Sequence, residues 1–184
     1  MKISKERIFI FLNAAIFSIV PLFTYKKPEG MRWWHFLLAL SLIFLFVKFL
    51  WEQAENFQLS NISLILLQSG LVMHYFGTMH IFGTRGYNLI VAEGIRYDKL
   101  VHFVSSFAIF IVLRELSKRY NFIEGKYQKL WMILAVLGIG ALVEIVEYIA
   151  TWSLSQVITI QSPYDNSLQD MIADLLGALI AALF

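Results

Sequence analysis

Six stretches of mostly apolar residues divide the chain, at roughly 7–24, 32–51, 61–82, 98–116, 130–152 and 168–184. A helix needs about 20 such residues to cross the hydrocarbon of a bilayer. The pattern therefore predicts an all-α fold, a polytopic bundle of about six transmembrane helices. Segments 32–51 and 130–152 are the clearest. The last run is short, about 25 Å at 1.5 Å per residue. The first follows Lys2, Lys5 and Arg7, as in the basic region of a signal peptide. No small-residue cleavage site follows, and Pro21 closes the run, so a retained helix is expected. The connections, Thr24–Met31, Glu52–Ser60, Gly83–Tyr97, Ser117–Lys129 and Ser153–Ser167, are too short for a second domain. With no internal repeat, residues 1–184 read as a single integral membrane helical domain.

The polar residues that interrupt these runs carry the functional signal. His74, Asp98, His102, Glu144, Glu147, Asp170 and Asp174 lie inside or at the lips of apolar segments. A charge in hydrocarbon costs roughly 2.5–3.5 kcal/mol on insertion scales, so an ionisable residue there is a functional candidate by default. In an up-down bundle the C-terminal halves of the third and fifth helices lie level with the N-terminal halves of the fourth and sixth. That places all of these residues in one leaflet. Asp98 and His102 stand four apart, as do Asp170 and Asp174, and Glu144 and Glu147 stand three apart. Each pair thus shares a helix face. Ala173, Gly177 and Ala181 form a small-residue stripe on the last helix, which lets a neighbouring backbone approach closely.

Other polar residues have simpler readings. His35 beside Trp33 and Trp34 reads as an interface residue. His80 stands six from His74, so the two cannot share a face, and His74 is preferred. Lys48 and Glu52 read as a snorkelling ion pair at the opposite membrane face. Asp98 also suits a cap of the fourth helix, and Asn166 or Ser167 a cap of the sixth. Capping accounts for neither His102 nor Asp174.

Composition agrees with a lipid-embedded chain: 59% of its 184 residues are hydrophobic and only 15% charged, with a mean hydropathy of +0.67. All five Trp fall at segment ends, where amphipathic rings favour the interface. The net charge of +2 is too small to imply a nucleic-acid partner, and the absence of Cys excludes disulfides and thiolate metal sites. Lys and Arg concentrate on the side holding the N-terminus and the fourth loop (Lys2, Lys5, Arg7, Arg114, Lys118, Arg119, Lys126, Lys129). Both termini are therefore expected in the cytoplasm of a cell (inner or plasma) membrane, with the acidic cluster near the outer face.

Three carboxylate-bearing helices facing one another repel unless a cation, protons, or Lys99 and Arg96 balance them. Imidazole with carboxylate suits Zn, Mn or Fe, and such an ion activates water for attack on an ester or phosphoester. His74, Asp98, His102, Asp170 and Asp174 are the candidate metal ligands, and Glu144 and Glu147 the candidate catalytic acids or bases. The Glu plus Glu-x-x-His template of two-metal bundles is not met. Membrane lipids are the expected partners. A proton-coupled small-molecule transporter would use the same acids as a relay, but Asn13 is nearly the only polar residue on the cytoplasmic side to extend one. A non-catalytic membrane subunit would keep the cluster for packing alone.

The run Tyr97-Asp98-Lys99-Leu100-Val101-His102-Phe103 resembles a signature of the YjdF-like inner-membrane proteins. Glu144-Ile145-Val146-Glu147-Tyr148 resembles a second, and Tyr164 to Met171 running into Asp174-Leu175-Leu176-Gly177-Ala178 a third. His74-Tyr75 sits where that family carries a His-Tyr pair. Asp165 stands five from Asp170 where the family spacing is usually four, and Asn166 fits that register instead. The layout is distantly similar to VanZ-like proteins, which are associated with glycopeptide-antibiotic resistance, with Asp174 here in place of an Asn. The resemblance covers most of the chain from the third helix onward. It implies a multi-pass membrane protein and assigns no activity.

Overall fold

The computed structural model describes residues 4–24, 44–45, 47–54, 56–81, 84–122, 124–154 and 163–184, and among these only the backbone at 17–24, 80, 146–154 and 163–165. They fall into two compact units, Met1–Leu59 and Ser60–Phe184. The first contains helix α1 (Lys5–Thr24) and helical residues 47–54 (α2). Here Arg7 lies over the Trp51 ring, 5.4 Å from its centroid, and Asn13 donates to the Phe9 carbonyl one turn back at 2.8 Å. Lys48 and Glu52 pair at 3.8 Å on an exposed face, at the spacing the sequence suggested. Most of the expected second span, with Trp33, Trp34 and His35, lies outside the described residues.

The second unit holds α3 (Asn61–Thr78), α4 (Tyr97–Tyr120), α5 (Gln128–Leu154) and α6 (Pro163–Ala181). Ser60 caps α3, its hydroxyl accepting from the Ser63 amide at 3.2 Å. The far end of α3 differs from expectation. The apolar run continues to 82, but the helix stops at Thr78 and His80–Ile81 (β1) pair antiparallel with Thr84–Arg85 (β2). A short 3-10 turn, Gly86–Asn88, then folds Tyr87 back over Gly77, where an added methyl would meet its ring. Ile90–Ala92 (β3) and Ile95–Arg96 (β4) make a second ribbon, turned at Gly94 with φ +72°. The connection expected to be plain loop is thus two small β-ribbons, in which the β-branched Ile81, Thr84, Ile90, Val91 and Ile95 suit the extended backbone.

α4 ends on Asn121 in the left-handed region (φ 51°), a conformation Asn tolerates. α6 begins five residues earlier than expected, at Pro163, which suits a first helical turn. Asn166 and Ser167 are therefore inside the helix and do not cap it.

Cross-helix contacts fix the directions. Tyr97 donates to the Met73 carbonyl, while at the other end the Glu115 carboxylate accepts from the Ser60 amide and the Ser60 and Ser63 hydroxyls. α3 and α4 are antiparallel. Lys99 meets Asp170, Ser106 meets Asp174 and Phe107 meets Phe184, so α4 and α6 run parallel. Lys129 donates to the Ala182 carbonyl and Gly140 lies under the Asp174 carboxylate, so α5 packs antiparallel against α6. This up-down order brings the polar residues of α4, α5 and α6 to one level. The apolar core, Phe110, Met132, Val136, Ala178 and Ala181, fills the other.

The α4–α6 seam is closest at Gly177, where a Cβ would collide with the Phe103 carbonyl oxygen. Ala173 and Ala181 of the same stripe are buried. Gly177→Ala is expected to destabilise the protein by about 1–3 kcal/mol, the usual cost of overpacking. Gly138→Ala on α5, where an added methyl meets nothing within 4 Å, serves as the control. It should be neutral or gain up to about 1 kcal/mol from helix propensity. Detergent-solubilised unfolding curves of the two variants make the comparison.

Candidate functional site

The site grows from the first turns of α4 and α6. Lys99 points across the seam, and its ammonium lies 2.6 Å from Asp170 Oδ1, 3.0 Å from Asn166 Oδ1 and 3.1 Å from Asp98 Oδ2. Those three acceptors use the three protons an ammonium carries. Asn166, one turn before Asp170, also donates its amide to Asp170 Oδ2 at 2.8 Å. Asp170 is 1% exposed, and these bonds hold its carboxylate against α4.

One turn further in, His102 takes over. Its Nδ1 lies 3.2 Å from Asp174 Oδ1, which also accepts from the buried Ser106 hydroxyl at 2.6 Å. An ionised carboxylate only accepts, so Nδ1 carries a proton. Nε2 faces Asp170 Oδ1 at 3.6 Å and Glu144 Oε1, from α5, at 3.8 Å. His102, Glu144 and Asp170 thus present one ligand atom each, all within 4.8 Å of one another.

Several carboxylate oxygens here lack a donor. Glu144 Oε1, Asp174 Oδ2 and Asp98 Oδ1 are buried with no hydrogen-bond partner among the described residues. Such groups cost free energy unless something compensates them. Among the described residues four carboxylates meet one lysine and one histidine, so the arrangement is suited to receiving positive charge.

The sequence candidates divide accordingly. Asp98, His102, Glu144, Asp170 and Asp174 converge, with Asp98 joined to the rest through Lys99. His74 is engaged elsewhere: its Nδ1 is 3.0 Å from the Tyr87 hydroxyl, and its Nε2 is 3.5 Å from the Ser105 hydroxyl. The Glu147 side chain, like those of His80 and Asp165, lies outside the described residues. Ser106 and Tyr87 escaped sequence reasoning. Ser106 stands four after His102 and was legible as the same stripe, as Asn166 was four before Asp170. Tyr87 carried no periodic signal.

Residues 8–184 match the family described as predicted membrane protein (DUF2238). The chain belongs to this family. A similar protein is the inner membrane protein YjdF of Escherichia coli (strain K12), 22% identical over 185 residues that cover 95% of this chain and 88% of that one. No solved structure matches. Membership agrees with the resemblance carried by the Asp98–His102, Glu144 and Asp170–Asp174 motifs, and makes this a YjdF-like membrane protein. Two helices among the described residues, Tyr97–Tyr120 and Gln128–Ile145, are long and apolar enough to cross a bilayer.

Removing Lys99 should expose the charge imbalance directly. Lys99→Met leaves Asp98 and Asp170 without their shared cation, at an expected cost of about 3–5 kcal/mol. Lys48→Met breaks the exposed Lys48–Glu52 pair and should cost about 0–1 kcal/mol. Thermal unfolding in one detergent ranks the two, and equal losses would contradict the central place given to Lys99.

Proposed function

We propose that this protein binds a divalent metal ion at His102, Glu144 and Asp170, and uses it to hydrolyse an ester or phosphoester in a lipid or lipid-linked headgroup. The observation that carries this reading is the convergence of those three ligand atoms within 4.8 Å, with Glu144 Oε1 buried and without a hydrogen-bond partner among the described residues. One imidazole and two carboxylates suit Zn, Mn or Fe. Three protein ligands leave a position for water, and the ion supplies Lewis acidity there.

The chain's own residues supply the rest. Asp174, proposed as a ligand from its spacing, serves better as the group that holds Nδ1–H of His102 and turns Nε2 to the ion. Lys99 and Asn166 orient Asp170. Asp98 neutralises Lys99, and His74 stands outside the triad. Glu147, three positions beyond Glu144 on α5, is the candidate base. The wider setting is a bundle of about six transmembrane helices in the cell membrane with both termini cytoplasmic, supported by the Lys and Arg bias and by the up-down order of α3 to α6. The site then lies near the outer interface, at the depth where headgroup bonds meet hydrocarbon.

Elemental analysis of the detergent-purified protein is the test. Near-stoichiometric Zn, Mn or Fe is expected, lost in Glu144→Gln while circular dichroism shows the helices intact. Asp174→Asn should retain the ion but weaken its binding about 10–100-fold, the usual effect of removing a carboxylate behind a ligating histidine. Absence of metal from the wild type, even after reconstitution with each ion, would retire the hydrolase reading and favour a proton relay or a packing role for the same acids.

A further inference from the structure

Beside the cluster, a groove of about 520 Å³ runs between α4, α6 and the β3–β4 ribbon, within the size range of small-molecule sites. Val91 and Ile95 of the ribbon, Phe103 of α4, and Ile172 and Leu176 of α6 make its walls apolar. Lys99 lines it as well, and the ammonium of that residue is bonded to Asp98 and Asp170. The groove is therefore apolar along its length and polar where it adjoins the cluster. Ile90, Val91 and Ile95 are about half exposed or more, so the ribbon presents an apolar surface beside it.

The shape calls for an amphiphile, and the charges decide its headgroup. Lys99 has its three protons committed to Asp98, Asn166 and Asp170, so it has none to give a phosphate. Asp98 Oδ1, on the carboxylate bonded to Lys99, is buried and has no donor among the described residues. With a divalent ion on a neutral His102, Glu144 and Asp170, the four carboxylates among the described residues still exceed Lys99 and the ion by one negative charge. A single ammonium closes that difference, through a charge-assisted bond to Asp98.

We infer that the groove holds one acyl chain of an amine-bearing phospholipid, with its ammonium at Asp98 and its phosphate toward the His102–Glu144–Asp170 triad. The assignment names the amphiphile for the proposed metal site and rests on that reading for the charge count. The groove, and the Asp98 oxygen with no donor among the described residues, stand without it.

The test uses the full chain in phosphatidylglycerol liposomes containing a trace of phosphatidylethanolamine with a diazirine at the end of its acyl chain. Photolabelling of peptides bearing Phe103, Ile172 and Leu176 is expected to saturate. Unlabelled phosphatidylethanolamine should reduce it about fivefold or more, while added phosphatidylglycerol should not. Ile172→Trp, placed at an exposed position, should fill the groove and abolish the saturable labelling with metal content unchanged. Asp98→Asn should keep the labelling but lose the preference for the amine. Labelling that rises linearly with probe and matches that of the outward α5 residues Leu134 and Leu142 would mean bulk lipid contact only and overturn the inference. Equal displacement by phosphatidylglycerol would overturn the headgroup assignment. Metal without saturable labelling refutes the groove alone. Saturable, amine-selective labelling without metal supports the groove and refutes the metal site.

Discussion

The close approach of α4 and α6 is the constraint from which the rest of the second unit follows. Gly177 lets the α6 backbone rest against the Phe103 carbonyl, and no other residue would fit there without moving a helix. Because the two helices run parallel at that distance, residues one turn apart on each meet in order: Lys99 with Asn166 and Asp170, then His102 with Asp170 and Asp174, then Ser106 with Asp174. Van der Waals packing of small residues draws membrane helices together where no hydrophobic force between them exists. The seam thus puts acids at contact distance that would otherwise stay apart. α5 completes the arrangement, since Gly140 leaves room for the Asp174 carboxylate and Glu144 follows one turn later.

Much of this was legible from residue spacing. Long apolar runs flanked by charges located α4 and α5 to within a few residues, because burial in lipid demands a minimum length that few other structures need. Where polar residues enter a helix, or apolar ones leave it, the same signal fails. Asn166 looked like a loop residue preceding α6, yet it belongs to the helix because its amide serves Asp170 across one turn. Met79 to Ile81 looked like helix, yet α3 ends at Thr78 and Tyr87 covers the surface over Gly77. The i, i+4 pairs identified His102, Asp170 and Asp174, the i, i+3 pair identified Glu144, and asking which helix ends share a level brought them together. His74 shows the limit of that logic. It lies at the right level, but spacing does not reveal that a loop tyrosine thirteen residues away reaches its ring first.

The balance of charge separates a binding site from a packing device. A buried polar network kept for specificity reaches satisfaction within itself, since a half-satisfied network is costlier than an apolar core. Part of this cluster behaves that way: Asp170 is met by Lys99 and Asn166, and Asp174 Oδ1 by His102 and Ser106. Glu144 does not. It comes from a third helix, is 9% exposed, and directs Oε1 at an imidazole nitrogen 3.8 Å away, too far for a hydrogen bond. Were packing the sole purpose, a glutamine or leucine would serve at lower cost. A carboxylate held at that distance from both an imidazole nitrogen and a second carboxylate is what the proposed cation site requires, because each of the three groups becomes a ligand once positive charge stands between them. Lys99 spends its protons on Asp98, Asn166 and Asp170, and so anchors the Asp170 wall of the cluster.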